Sequence, residues 1–434
     1  RETARATRQA ETKGGLTRVS RRLTGLPALR AFRHRNFRLF YAGQAISLIG
    51  TWIQQIALSW LVYRTTGSGF LLGLVTFCSQ IPMLIFLPFA GLLSDRQDRR
   101  KVMIAAYVLA AVQASTLGVL TLAGDIRVWQ ILLLGFLYGV IMAFETPARQ
   151  SLVSQMVTSR DDLPNAIALN SVLMNSGRLI GPSIAGMLLV FISEGWCFLM
   201  NALSFTAIIA SVSMMRLAPR NAPAIRGSLL QDLRAGARYA WHTRPIRLFL
   251  ALVALISLTA SPYTVLMPMF ARDVFGGDAH TLGFLVGSAG LGAVIGTAFL
   301  ATRPNVFGLG RLVPFTSAAA GSALVLVGLS QTYWLALAFM AVLGFGIIVT
   351  AASVNMMLQT LVDDDKRGRI IGFYAMAFLG MAPVGGLIAG SLAGQLGAPV
   401  TAMVEGTCCL LGTLVLMRGL PDMRTELQHA ALRR

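Results

Sequence analysis

Stretches without a single charged side chain recur along this chain, as from Leu39 to Tyr63, from Phe70 to Leu93 and from Val128 to Phe144. A helix of about 20 residues crosses the roughly 30 Å hydrocarbon core of a bilayer, so runs of this kind are read as membrane spans. Twelve are expected, at 38–63, 70–93, 101–123, 128–150, 165–193, 196–216, 246–270, 280–301, 312–330, 333–358, 368–393 and 398–418. No water is available there to satisfy the backbone, so every span must be helical, and the Gly and Pro scattered through them are tolerated. The expected fold class is an all-α integral membrane protein. A content of 55% hydrophobic and 13% charged residues excludes an ordinary soluble domain of this length.

The net charge of +19 would suggest nucleic acid in a soluble protein, so its placement decides its meaning. Of the 37 Lys and Arg, only Arg64, Arg127 and Arg272 fall in the odd-numbered loops, and Arg178 lies within a span. All the others occupy the two tails, the even-numbered loops or the span ends beside them, which places both termini in the cytoplasm by the positive-inside rule. Trp129, Trp196 and Trp334 fall at the opposite helix ends, where an aromatic belt belongs. The chain opens with an Arg-rich polar stretch and no short apolar leader, so the first span is expected to stay as an anchor. No aromatic residues interleave with the basic clusters, which argues against nucleic acid; anionic lipid at the cytoplasmic face is the expected partner of the basic tail.

The longest polar interruption divides the spans six and six. The resulting organisation is a basic tail over 1–36, a six-helix bundle over 37–216, a linker over 217–245, a second six-helix bundle over 246–419 and a tail over 420–434. Within the linker, Leu229, Leu230, Leu233, Ala237 and Ala240 share one helical face beside Arg234 and Arg238, as in an amphipathic helix lying on a membrane surface. The halves also carry a repeat. At an offset of 204, GPSIAG (Gly181 to Gly186) falls on GGLIAG (Gly385 to Gly390); at 210, Leu72-Gly73 falls on Leu282-Gly283 and Asp95 on Asn305. Parallel duplication of a bundle is common among transporters.

The stretch GLLSDRQDRRK, with Gly91, Asp95, Arg96, Arg99 and Arg100, resembles the motif between the second and third helices of the major facilitator superfamily. Asp98 stands where the general pattern has Gly, and DRxDRR is similar to the subgroup of enterobactin-exporter-like and macrolide-efflux-like proteins. TPARQSLVSQMV (Thr146 to Val157), DDLPNAIALNS (Asp161 to Ser171) and SGRLIGPSIAG (Ser176 to Gly186) resemble that subgroup too. Gly177, Gly181, Pro182 and Gly186 are similar to the element associated with antiport, although its upstream glycine position is Ala168. The usual Arg in the middle of the fourth helix is missing, since Ile131 to Ile141 is uncharged.

The resemblance implies two bundles rocking about a cavity lined by the first, fourth, seventh and tenth helices. Candidates for that cavity are Gln54, Gln55, Tyr263 and Asn355 with Gln359, joined by Asn170 and Asn175 on the fifth helix and Tyr374 on the eleventh. Each of these also reads as a simple helix-to-helix hydrogen bond. Ionisable groups deep in a span suggest function. Arg178, roughly 20 Å into the fifth span, reads either as a contact for an anionic substrate group or as a bond to carbonyls of its own bundle. Glu145 reads as a proton-exchanging carboxylate or, as its depth favours, as a pair with Arg149, with Pro147 breaking the helix just after it. Glu405 is expected to face headgroups or a partner chain.

Cys78, Cys197, Cys408 and Cys409 show no metal or disulfide spacing, the four His are isolated, and no P-loop, HExxH or GxSxG is present, so no metal, cofactor or enzymatic activity is expected. The expected function is a gradient-driven exporter of a bacterial-type inner membrane, exchanging protons for a small amphipathic molecule such as a siderophore or drug. An importer of a polar nutrient and a non-transporting receptor or scaffold are the alternatives. Substrate identity, coupling ion and oligomeric state are encoded in no motif. Asp95 is read as capping a helix N-terminus, either of the third or, as the family implies, of the eleventh, and the basic turn as a latch closed when the cavity faces outward. Asp95→Asn is therefore expected to shift the conformational population and slow turnover in a flux assay, and unchanged turnover would remove the latch.

Overall fold

The computed structural model describes residues 27–157, 159–216, 229–303, 309–362 and 366–417. Among them there is no strand, and twelve segments are long and apolar enough to cross a membrane. Spans 1 to 6 are the helices Arg35–Thr66, Gly69–Arg96, Arg99–Leu122, Val128–Met156, Leu163–Phe191 and Glu194–Ser213. Span 7 covers Arg244–Val274, and spans 8 to 12 are Ala279–Ala301, Leu309–Leu329, Tyr333–Leu361, Arg367–Leu396 and Ala398–Met417. Connections are short, so successive spans alternate in direction. The face holding Pro27, Met417 and the linker helix is called the tail face here, and its opposite the distal face.

Apolar side chains lie on both the outside and the inside of the molecule. Phe191, Leu203, Phe315 and Trp334 stand exposed around the outside, as helices solvated by lipid tails allow. Trp129, Trp196 and Trp334 sit at distal helix ends, also exposed. Large apolar side chains such as Phe198, Phe205 and Phe270 are fully buried between the helices, and polar residues among them add hydrogen bonds that hold helices lipid does not push together. In the first half Gln54, Gln113, Asn201 and Ser204 form one buried chain, with Asn201 Nδ2 donating to Gln54 Oε1 at 2.8 Å and Gln54 Nε2 donating to Gln113 Oε1 at 3.3 Å. It ties spans 1, 3 and 6. In the second half, Thr316 meets Thr350 and Ser317 meets Thr413, both at 2.7 Å, joining spans 9, 10 and 12.

The two halves meet along two seams, span 5 against span 8 and span 2 against span 11. Both seams are built from the repeated glycines. A Cβ added at Gly186 would lie 2.9 Å from Gly283 Cα, and one added at Gly283 would lie 2.6 Å from Pro182 O and 2.7 Å from Gly186 Cα. In the other seam a Cβ at Gly390 would lie 3.0 Å from Gly73 Cα. The positions that the sequence repeat superposes, 73 on 283 and 186 on 390, are thus the ones in contact across the molecule. Both contacts lie toward the distal face. Span 1 meets span 7 there as well, through a hydrogen bond from Tyr63 to Asp273 and with Arg272 over the Tyr63 ring at 5.7 Å. The distal face is closed, while Gln55 stands exposed in the space between the halves.

Three expectations need correcting. Pro147 does not break span 4, whose helix runs on to Met156; in a membrane bundle, neighbouring helices support a backbone carbonyl that Pro leaves without its donor. The seventh span is not one helix but Arg244–Thr259 and Tyr263–Met269, separated by a turn at Ala260 to Pro262 and followed by a π-turn over Phe270–Val274. Finally, the basic motif is mostly helix: span 2 continues through Arg96, which leaves Gln97 and Asp98 as the connection. The linker helix occupies Leu229–His242, and its Gly236 lies against Phe373 and Arg369 of span 11.

A side chain at position 283 cannot share the seam with span 5. In a background lacking the four cysteines and carrying Gln55→Cys, Gly283→Leu is expected to open the distal face, seen as faster labelling by a membrane-impermeant maleimide applied from that side; unchanged labelling would show that the seam is not what closes it.

Candidate functional site

The space between the halves is one cavity in two lobes of about 310 and 210 Å³, sharing Trp52, Gln55, Gln80, Thr264 and Val286. The first lobe extends toward Tyr138 and Met142 of span 4. The second extends toward Arg178 of span 5, Tyr263 and Ser261 of span 7, and Phe378 of span 11. Most of the lining is apolar, with a few polar groups placed among it, the usual composition of a small-molecule site.

Which polar groups are available depends on their other bonds. Gln55 and Arg178 are exposed in the cavity, and no ion pair of Arg178 is found among the described residues. Arg178 reaches the lobe because Gly177 and Gly181, one on each side of it, bring span 5 tight against Leu48 and Trp52 of span 1. The Ser261 Oγ is buried and unpartnered, at the break in span 7. Gln54 touches the first lobe but is only 6% exposed, and its amide is spent on Gln113 and Asn201. Adjacent glutamines in the sequence therefore have different employment, because successive side chains on a helix point about 100° apart.

The remaining candidates fall away from this constellation. Glu145 is 2% exposed and accepts from Arg149 Nε and from Tyr107 Oη, both at 2.8 Å, while Tyr107 also reaches Gln44. It is the pair that its depth suggested, bonded on several sides. Asn355 and Gln359 bond each other, and Tyr374 donates to Ala351 O at 2.9 Å, stitching span 11 to span 10. Asn170 is partly buried with Oδ1 unpartnered, and the side chain of Asn175 lies outside the described residues.

At the tail face, Asp98 rather than Asp95 caps span 3, accepting from Arg100 N at 3.0 Å, since Asp95 is still inside the helix of span 2. The Arg100 guanidinium donates to Ser213 O of span 6, and Arg99 occupies the first turn beside it. The side chains of Gly91, Asp95 and Arg96, and the whole of Asp363 to Asp365, lie outside the described residues. Glu405 does not face headgroups. It is 4% exposed, inside the second half, because spans 7, 9 and 11 pack around span 12.

Sequence reasoning missed Gln80, Trp52 and Ser261. Gln80 lies in an apolar run that reads as a plain span, and Ser261 becomes notable only once span 7 is seen to break beside it.

The family profile described as transmembrane secretion effector matches residues 27–432. The chain belongs to that family, within the major facilitator superfamily, and is a multi-pass membrane transporter of the efflux-like subgroup with a small-molecule substrate. It is 25% identical to the staphyloferrin A transporter of Staphylococcus aureus over 87% of this chain and 94% of the relative. It is 27% identical to the enterobactin exporter EntS of Shigella boydii over 88% and 90%, and 21% identical to macrolide efflux protein A of Streptococcus pyogenes over 87% and 94%. Among solved structures, the nucleoside transporter NupG (D323A mutant) superposes with a TM-score of 0.70 at 14% identity, covering 88% of this chain and 98% of that one. A bacterial homologue of the iron transporter ferroportin gives 0.65 at 16% identity over 89% and 98%. At these identities the structures establish the fold.

Removing one partner of a buried ion pair leaves an uncompensated charge, at a cost of about 3–5 kcal/mol. Arg149→Met is expected to lower thermal stability in detergent by that order, and Glu145→Gln with Arg149→Met to recover most of it. Equal loss in both variants would show that the pair is not the stabilising unit.

Proposed function

We propose that this chain is a gradient-driven exporter of a bacterial inner membrane, with its tail face cytoplasmic, exchanging protons for a small amphipathic molecule of the siderophore or drug class by alternating access. The observation that carries the reading is a largely apolar cavity between the halves that holds an exposed guanidinium, Arg178, with Gln55 and Gln80 nearby. Apolar walls suit the body of an amphipathic molecule. A single cation placed among them suits an acidic group on it, such as the carboxylate or catecholate oxygens of a siderophore. The names of the relatives, two siderophore transporters and a macrolide efflux protein, support the same class.

Alternating access asks for a cavity open to one side at a time. The distal closure through Tyr63, Asp273 and the two glycine seams supports a state in which substrate enters from the tail face. The basic ends of spans 2 and 3, with Asp95, Arg96, Arg99 and Arg100, are then the complementary latch, engaging when the cavity opens the other way, and the basic tail binds anionic lipid. Glu145, held against Arg149 and Tyr107, is better suited to fastening helices than to exchanging a proton.

The test is uptake into inside-out proteoliposomes with an imposed pH gradient, using enterobactin, erythromycin and ethidium. Wild type is expected to concentrate at least one of them with the gradient. Arg178→Ala is expected to lower enterobactin transport about tenfold to a hundredfold, the worth of a hydrogen bond to a charged group, and to spare ethidium, which carries no anion. Equal loss for both compounds would give Arg178 a structural role, and accumulation only in right-side-out vesicles would favour an importer.

A further inference from the structure

Proton exchange needs a carboxyl that is neutral in one state and charged in another, and the described residues contain one that the reading above leaves unused. Glu405 lies in the second turn of span 12, 4% exposed, and its Oε2 has no hydrogen-bond partner. The polar side chains on the same buried face are occupied elsewhere. Thr401 donates to Gly397 O, Cys409 lies 3.8 Å from Ser317 O, Thr259 donates to Leu255 O, and Thr413 is bonded to Ser317.

No charge on the surrounding helices compensates it. Arg244 and Arg247 of span 7, Arg311 of span 9 and Arg367 and Arg369 of span 11 all stand at the tail face, at the far ends of their helices. Arg272 and Asp273, at the distal end of span 7, are engaged with each other and with Tyr63 of the other half. Of the neutral titratable groups, Tyr263 lines the cavity, Tyr374 is bonded to Ala351, Cys408 is exposed and Cys409 is bonded as above. An ionised carboxylate without partner or water is far costlier than a neutral carboxylic acid.

Span 12 packs against both segments of span 7, on either side of the break at Ala260 to Pro262. The second segment runs directly into the turn that carries Asp273, the distal tie to span 1, so releasing that tie frees a segment packed against span 12. The break also places the unpartnered Ser261 hydroxyl on the wall of the cavity.

We propose that Glu405 carries the exchanged proton: its carboxylate takes a proton from distal water when the second segment of span 7 moves away, and returns it to water in the cavity lobe after the distal face closes. No other bond is made or broken. This inference rests on the antiport reading and names the residue that performs it.

The first measurement needs no substrate. Infrared spectra of the full chain in lipid nanodiscs, titrated through the range from acid to about pH 9, should show in wild type a carboxylic-acid carbonyl band that persists at neutral pH, where ordinary Asp and Glu are ionised. Glu405→Gln should remove it, with an unchanged melting temperature. A neutral-pH band unaltered in Glu405→Gln, or its absence from wild type, overturns the assignment. The second measurement is transport of whichever of enterobactin, erythromycin or ethidium wild-type proteoliposomes concentrate. Glu405→Gln should lose gradient-driven accumulation at least about tenfold while keeping gradient-independent exchange of the same compound. Gradient-driven accumulation that survives in Glu405→Gln overturns the role of Glu405 alone, whereas a wild type indifferent to the pH gradient overturns the antiport reading and the proposal with it.

Discussion

The structure depends on helices approaching closely where no side chain separates them. Lipid does not push apolar helices together as water does, so the two halves must gain their contact from backbone-to-backbone packing. Gly186 against Gly283 and Gly390 against Gly73 provide it twice, related by the internal repeat. The same close packing continues to mid-span, where a Cβ at Gly290 would collide with Arg178 O, and the cavity lies between these seams. The Tyr63 to Asp273 bond adds a polar tie at the distal face. A polar tie of this kind has an alternative partner in water, whereas packed glycines only separate, so both are compatible with a contact that must open and close.

Within each half the polar residues divide by employment. Gln54, Gln113, Asn201 and Ser204 spend their hydrogen bonds on one another, and Glu145 spends its charge on Arg149. Such groups make a bundle rigid, which a rocking mechanism requires of its moving parts. Gln55, Gln80 and Arg178 face the cavity between the bundles. Site and scaffold thus draw on the same residue types and differ only in which side of a helix each residue occupies.

Much of this was legible in the sequence. Twelve spans, their grouping and the glycine repeat follow from hydropathy and from self-similarity, because membrane crossing imposes a length and a composition that few other constraints imitate. The site was legible only as a set of candidates. Gln54 and Gln55 cannot be told apart by type, and Pro147 and the break at Ala260 to Pro262 reverse the usual expectation of where helices stop. Asp95 reads as the cap of span 3, but span 2 runs on past it and Asp98 takes the cap.

The amino-acid sequence by itself determined the solvent of this protein, the number of its spans, the two-fold repeat of its halves and the side on which its basic residues cluster, since each is set by local composition or by periodicity along the chain. The tertiary structure alone decided which polar groups are free. Arg178 stands open to the cavity while Glu145 is bonded, and Glu405 is buried among helices rather than set against headgroups, because the fate of a polar side chain in a membrane bundle depends on neighbours brought from distant parts of the chain.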